Sequence, residues 1–125
     1  MKNRILLVDD NEDLLQITAL ILKSQGYETF CANNVHRAEH LIEKEHPHLM
    51  LLDVCICEED GLLFCNRLKL NAETKGIRII LMSGNDYHQT EWNGADDFLL
   101  KPFDFNLLTQ KVAQQMQWVE QRLTA

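Results

Sequence analysis

Acidic, hydroxyl and lysine side chains follow short apolar runs at four places in the chain. They are Asp9 and Asp10 after residues 4–8, Asp53 after residues 49–52, Ser83 after residues 77–82, and Lys101 after residues 97–100. Short apolar runs bounded by turn residues are typical of buried parallel strands, whose carboxyl ends meet at one edge of the sheet. We therefore expect these side chains to converge. Three carboxylates in one crevice repel one another unless a cation neutralises them, and oxygen ligands suit Mg²⁺ or Mn²⁺.

The elements that position these residues alternate along the chain. Predicted strands cover residues 4–8, 27–32, 49–53, 77–82 and 97–100. Predicted helices run from the N-cap Asn11 to Gly26, from Asn33-Asn34 to the break at residues 46–48, over 61–71, over a short stretch at 86–93, and from about 104 to 123. Apolar strands alternating with helices predict a single α/β domain over residues 1–125. Its architecture is a doubly wound, five-stranded parallel sheet with five helices and right-handed crossovers.

Composition limits the function classes. The net charge is −7, and lysine and arginine do not cluster, which argues against direct nucleic-acid binding by this domain. The sequence has no apolar stretch near twenty residues and no charged-then-apolar leader, so we expect a cytoplasmic protein without membrane contact.

Cysteine and histidine spacing gives weak metal signals. The cysteines match neither a paired C-x-x-C zinc site nor a secreted disulfide framework, so we predict reduced, mostly buried thiols at Cys31, Cys55, Cys57 and Cys65. A less favoured alternative is that Cys55 and Cys57 sense redox state or hold a metal. His36 and His40 lie four residues apart on one helix face, but a third ligand is lacking and solvent exposure is favoured.

Taken in order, these motifs resemble those of one protein family. Asp9-Asp10 follows the first strand, Asp53 follows the third, Asp60-Gly61 opens the third helix, Ser83-Gly84 follows the fourth strand, and residues 94–103 read GADDFLLKPF. Over essentially its whole length the chain resembles the receiver domain of two-component response regulators. The resemblance implies a flavodoxin-like sheet with strand order 2-1-3-4-5.

The resemblance also implies a role for each strand-end residue. Asp53 would be the phosphoacceptor, taking a phosphoryl group from a histidine kinase, a histidine phosphotransfer protein or a small acyl phosphate. Asp9, Asp10, Asp53 and the main-chain carbonyl of Cys55 would hold Mg²⁺ or Mn²⁺. Lys101 would pair with Asp53 and then with a phosphoryl oxygen.

Two further residues would form the switch that the resemblance implies. Ser83 would donate its hydroxyl to the phosphoryl group, and its movement would leave space that the Phe98 ring could fill; Phe98 as plain core is the alternative. The Lys101–Pro102 peptide bond would be cis. Such a domain assists its own phosphotransfer and dephosphorylation and is not an enzyme acting on external substrates.

The loop after Asp53 departs from the family pattern. Many receivers carry proline four positions after the phosphoacceptor, where this chain has Cys57 followed by Glu58-Glu59. We expect a less stiff and more acidic loop. Our hypothesis is that the glutamates discourage anionic phosphodonors or strengthen the cation site.

The output region departs as well. The span from Ser83 to Lys101 is about one helical turn shorter than is usual in receivers, which predicts a shortened fourth helix. That helix belongs to the surface made by helix four, strand five and helix five, the usual contact for an output domain or protein target. Asp97 and Lys111 match one ion pair of a symmetric dimer formed there, but residues 84–95 contain no lysine or arginine, so we predict that this dimer does not form. The last helix, with an apolar stripe reaching Leu123, is long for a receiver. Its end either faces the core, docks a partner, or begins a linker to an absent output domain.

Two other function classes fit the sequence less well. A pseudo-receiver would keep the fold as a protein-binding module without phosphorylation, against which stand the intact acidic, serine and lysine positions. A Mg²⁺-dependent phosphohydrolase would carry a second aspartate two positions after Asp53, where Cys55 stands. Flavin binding is least favoured, because no strand end carries a loop rich in Ser, Thr and Gly.

Overall fold

Five parallel strands form the central sheet of the computed structural model, which describes the backbone of residues 3–124 and the side chains of residues 3–121. The strands are β1 (Arg4–Val8), β2 (Glu28–Ala32), β3 (Leu49–Asp53), β4 (Arg78–Ser83) and β5 (Asp97–Leu100). Their order is β2-β1-β3-β4-β5, and every neighbouring pair is parallel. The predicted flavodoxin-like order is confirmed.

Helices cover both faces of this sheet. They are α1 (Glu12–Ser24), α2 (Val35–Glu45), α3 (Gly61–Leu70) and α4 (Phe105–Thr124). Side chains alternate between the faces along each strand, so that Leu6 and Leu52 pack with residues of α2 and α3, whereas Leu7 and Leu51 pack with residues of α1 and α4. This two-sided burial explains why the strands are apolar throughout.

Local signals set most helix ends. The predicted N-cap Asn11 accepts a hydrogen bond from the N–H of Leu14, and Asn34 accepts one from Arg37. Gly26 follows α1 with φ +95°, a conformation that glycine adopts readily. These boundary predictions are confirmed.

The prediction of five helices is wrong. Where the fourth helix was expected, the structure has only a single 3₁₀ turn at Gln89–Glu91. Residues 84–94 begin and end with glycine and are otherwise rich in Asn, Asp, His, Thr and aromatic residues, which favour helices weakly. An irregular segment thus takes the place of the expected fourth helix.

Two burial predictions also need correction. The helical spacing of Leu14, Ile17, Thr18, Ile21 and Leu22 predicts one apolar face on α1, but Ile17 is 48% exposed. Leu15 and Ala19 are buried instead. Apolar residues surround much of this helix, so periodicity did not identify the core face. Three of the four cysteines are exposed and only Cys65 is buried, because the others lie at the end of β2 and in the loop after β3 rather than in the core.

Three other expectations concern the surface and the chain end. The exposure predicted for His36 and His40 is confirmed. The position predicted for the Leu123 side chain lies outside the described side chains. Within the described part of the chain, no helix combines the length and apolarity that a membrane span needs.

Candidate functional site

Sheet register brings the predicted site residues to one edge. Val8 lies opposite Leu52 across β1 and β3, and Asp53 lies opposite Met82 across β3 and β4. Asp9, which follows Val8, and Asp53 therefore end neighbouring strands at the same height, on the sheet face that α1 and α4 cover.

Lys101 joins these two carboxylates. Its Nζ lies 2.6 Å from Oδ2 of Asp9 and 2.9 Å from Oδ2 of Asp53. The Asp9 side chain is 2% exposed and that of Asp53 11%. One ammonium group thus pairs with two nearly buried carboxylates. Together these three groups carry one excess negative charge, to which Asp10 adds another.

Burial and pairing shift the proton affinities of this group. Burial raises the pKa of Asp53 above its ordinary value, and the charge of Asp9 adds to the rise, although hydrogen bonds from Lys101 and from the N–H of Cys55 lower it. Burial alone would lower the pKa of Lys101, but its bonds to Asp9 and Asp53 raise it above its ordinary value. The lysine therefore stays charged while it holds the two carboxylates.

Main-chain N–H groups orient all three carboxylates. Oδ1 of Asp9 accepts a bond from Asn11 at 3.0 Å, and Oδ1 of Asp53 accepts one from Cys55 at 3.1 Å. Each donor N–H belongs to the residue two positions C-terminal to the aspartate that accepts its bond. Asp10 is exposed, and its Oδ2 accepts a bond from the N–H of Cys57 at 3.0 Å.

The three carboxylates fit a hard divalent cation. One oxygen each from Asp9, Asp10 and Asp53 lie within 4.8 Å of one another. Clustered carboxylate oxygens with room for waters suit the octahedral, oxygen-only coordination of Mg²⁺. The main-chain N–H of Cys55 donates to Asp53, and the role of its carbonyl as a ligand stays a prediction.

Gly61 is required where α3 approaches the site. A Cβ on this residue would collide with the main-chain oxygens of Asp53 and Val54. The Gly61 N–H also donates to the Val54 oxygen. Only a residue without a side chain lets the helix begin directly against the backbone that carries Asp53.

Ser83 ends β4, the strand next to β3, and Phe98 lies in β5, the edge strand beyond it. The Ser83 side chain is buried, and its Oγ accepts a bond from the N–H of Asn85 at 3.0 Å. The Phe98 ring packs between Trp92, stacked at 5.9 Å, and Tyr87, edge-on at 6.0 Å between ring centroids. Phe98 is therefore a core residue of this structure, and its proposed movement would have to displace Trp92 or Tyr87.

Sequence reasoning missed some of these contacts. The hydrogen bond between Cys57 and Asp10 joins residues 47 positions apart and has no local signal. The packing of aromatic rings against Phe98 did have a sequence signal, because Tyr87 and Trp92 are large apolar residues in a segment with weak helix propensity. The Lys101–Pro102 bond is cis, as the resemblance implied.

Comparison with known proteins identifies the family. The model of the response regulator receiver domain matches residues 5–113. The chain belongs to this family. It is 35% identical over 119 residues to the regulatory protein AtoC of Escherichia coli, and 36% identical over 118 residues to the autoinducer sensor kinase/phosphatase CqsS of Vibrio cholerae. Each match covers 90% of this chain but only 25% of AtoC and 17% of CqsS, so the chain spans a small part of these relatives.

Solved structures show the same fold. A CheY-like receiver domain from Methanospirillum hungatei superposes with a TM-score of 0.87 at 27% identity, covering 98% of this chain and 99% of that one. A receiver domain from Bermanella marisrubri gives 0.84 at 28% identity, covering 93% and 99%. Receiver domains are signalling modules of two-component systems, are generally not enzymes, bind Mg²⁺ at an acidic pocket and are phosphorylated by histidine kinases or phosphotransfer proteins. Membership supports a phosphoacceptor signalling role for this receiver.

Proposed function

We propose that this receiver accepts a phosphoryl group on Asp53 from a histidine kinase or histidine phosphotransfer protein, with a divalent cation held by Asp9, Asp10, Asp53 and the carbonyl of Cys55. The observation that carries the proposal is the Lys101 bridge. Its ammonium group contacts Asp53 at 2.9 Å within a cluster of three carboxylates. A lysine in this position can follow the negative charge as it moves from the carboxylate to a phosphoryl oxygen.

The chemistry is a direct displacement at phosphorus. An Asp53 carboxylate oxygen forms the new bond to phosphorus as the phosphorus–nitrogen bond of the phosphohistidine breaks and the imidazole leaves. Before transfer, Lys101 and the N–H of Cys55 orient the nucleophile. The cation supplies positive charge that offsets the charge of the phosphoryl oxygens. Ser83, near the end of β4, supplies a hydroxyl for another of these oxygens.

The experiment combines Mg²⁺ with acetyl phosphate or phosphoramidate and measures intact mass. Wild-type protein should gain the mass of one phosphoryl group in Mg²⁺ and none in a chelator, while Asp53→Asn should gain none. An unchanged wild-type mass with both donors would identify a pseudo-receiver instead. Repeated release of phosphate from a phosphoester would identify a phosphohydrolase.

The output surface is the second part of the proposal. We propose that residues 85–93, β5 and α4 contact an output domain or protein target, with a linker following α4. Leu100 and Phe105 are 46% and 38% exposed on this side. Lys111 pairs with Asp97 of its own chain at 2.9 Å, so this pair is already satisfied without a symmetric partner.

A further inference from the structure

A two-residue hairpin follows Asp53 and has an unusual tip. Cys55–Ile56 pairs antiparallel with Glu59–Asp60, leaving Cys57 and Glu58 as the turn residues. Their φ angles are +47° and +68°. Positive φ at both central positions is the signature of a type I′ turn, which normally carries Asn-Gly. Here two residues other than glycine adopt the left-handed conformation, which is unfavourable for residues that have a Cβ atom.

Surrounding contacts hold this tip in place. The Cys57 N–H donates to Oδ2 of Asp10 at 3.0 Å. Oε1 of Glu59 accepts a bond from the N–H of Val35 at 3.2 Å, and Sγ of Cys57 donates to the main-chain oxygen of Asn33 at 3.5 Å. The hairpin is thus attached both to the segment after β1 and to the start of α2. Strained residues persist where the neighbouring structure fixes them in this way, and they concentrate at functional sites.

Among the three clustered carboxylates, Asp10 depends most on this contact. Asp9 and Asp53 are buried and bound to Lys101, and each also accepts an N–H from a residue two positions ahead. Asp10 is exposed, and the bond that fixes it comes from a different segment of the chain. An exposed side chain without such a bond would sample several rotamers, and ordering it would weaken ligand binding.

Proline could not supply this contact. It has no N–H, and its ring holds φ near −65°, far from the +47° of Cys57. The cysteine at this position, which differs from the proline of many receivers, therefore permits both the turn and the hydrogen bond. The feature resides in the main chain, so the thiol itself is not the donor.

We propose that the main-chain N–H of Cys57 is a positioning group for the divalent cation. This N–H binds one carboxylate oxygen of Asp10 and leaves the second oxygen free to act as a ligand. The hydrogen bonds of the Glu59 carboxylate and of the Cys57 thiol keep the turn in place. This inference rests on the proposed function, because it takes Asp10 as a cation ligand. Hydrogen bonds to metal-binding carboxylates commonly change metal affinity by about 10- to 100-fold.

The test measures the affinity for Mn²⁺ alone, by titration calorimetry, in wild type, Cys57→Pro and Cys57→Gly. Cys57→Pro should weaken binding about tenfold, because it removes the N–H and the turn. Cys57→Gly removes the thiol but keeps the N–H and suits the positive φ, so it should bind within about twofold of wild type. Equal affinity of wild type and Cys57→Pro would overturn the proposal, as would an equal loss in Cys57→Gly.

A second pair of variants covers the case in which Cys57→Pro does not fold. Glu59→Gln keeps an acceptor for the Val35 N–H, whereas Glu59→Ala removes it. Both variants lack the negative charge, so a weaker Mn²⁺ affinity in the alanine variant alone reports the loss of the hydrogen bond to the Val35 N–H. Equal Mn²⁺ affinities in the two variants would contradict a role for this bond. Urea unfolding in a chelator separates a purely structural role, which would lower stability without changing affinity.

The same titration separates this proposal from the function on which it rests. If wild type binds Mn²⁺ and is phosphorylated on Asp53 while Cys57→Pro behaves identically, only the positioning role fails. If wild type binds no Mn²⁺, both fail. Loss of affinity in Cys57→Pro with retained phosphorylation at high Mg²⁺ supports both.

Discussion

Replacing Lys101 with methionine should destabilise the receiver most when no divalent cation is present. The lysine Nζ lies 2.6 Å from Asp9 and 2.9 Å from Asp53, and both carboxylates are nearly buried. Methionine has a similar length but no charge. The variant therefore leaves two neighbouring carboxylates without their shared counterion, at positions where water can solvate them only weakly.

The expected loss follows from the burial of the group. Breaking a buried ion pair by removing one partner costs about 3–5 kcal/mol. The Lys101 side chain is 21% exposed, so water can partly replace it, and we expect about 3 kcal/mol. A bound cation neutralises the same carboxylates without the lysine's repulsion, so Lys101→Met should bind Mg²⁺ about tenfold more tightly, worth about 1.4 kcal/mol. At saturating Mg²⁺ the loss should fall to about 1.6 kcal/mol.

Urea unfolding in a chelator and in saturating Mg²⁺, together with calorimetric titration of Mg²⁺, measures every side of this cycle. Lys111→Met is the matched control. Its ion pair with Asp97 has the same 2.9 Å separation and similar exposure, but it involves a single carboxylate outside the three-carboxylate cluster. Its loss should be about 1 kcal/mol and independent of Mg²⁺.

Thermodynamic reciprocity makes the test strict. The loss of unfolding free energy caused by Lys101→Met should be smaller in saturating Mg²⁺ than in chelator. That difference must equal the gain in the free energy of Mg²⁺ binding. A Lys101→Met loss that is the same with and without Mg²⁺, or as small as that of the control, would refute the assignment of Lys101 as the shared counterion of the site.

Three other predictions follow from the packing. Gly61→Ala should lower the free energy of unfolding by at least about 3 kcal/mol, because the new Cβ meets main-chain oxygens; wild-type stability in urea would contradict the close approach. Trp92→Ala should cost about 1–2 kcal/mol and shift the ring resonances of Phe98 in NMR spectra, whereas Trp118→Ala should leave those resonances unchanged. Burial, and then a neighbouring arginine, lower the pKa of His48 from 6.5, so its contribution to stability is present above about pH 6.5 and is lost as pH falls through the lower folded-state value. His48→Asn should flatten that part of the stability profile in urea unfolding, and an unchanged slope would count against it.

Sheet periodicity made the central part of the site predictable. The apolar runs before Asp9, Asp53 and Lys101 identify strands, and parallel strands bring their carboxyl ends together whatever the separation in sequence. Strand-end convergence predicts that Lys101 and Asp9, 92 residues apart, lie at one edge of the sheet, but two strands separate β1 from β5, and their direct contact was not predicted. The order itself came from the family resemblance, because the pattern of strands and helices fits more than one doubly wound topology.

Contacts between irregular segments were not predictable in the same way. No periodic pattern records that Cys57 donates to Asp10, and a cysteine followed by glutamate gives no signal for a type I′ turn. Residue preferences describe turns that are stable by themselves, whereas this turn is held by bonds to two other segments. Its geometry therefore depends on the finished fold.

The missing fourth helix has a local origin instead, and it bears on signalling. Weak helix propensity left residues 84–94 without a helix, and Tyr87 and Trp92 then cover Phe98 directly. Phe98 lies close to the Ser83 end of the sheet, because it pairs with Leu81, two residues before Ser83 pairs with Leu100. If the proposed phosphorylation of Asp53 shifts this edge, Phe98 can follow only if Trp92 or Tyr87 moves, so we expect the output surface to respond through repacking of these rings.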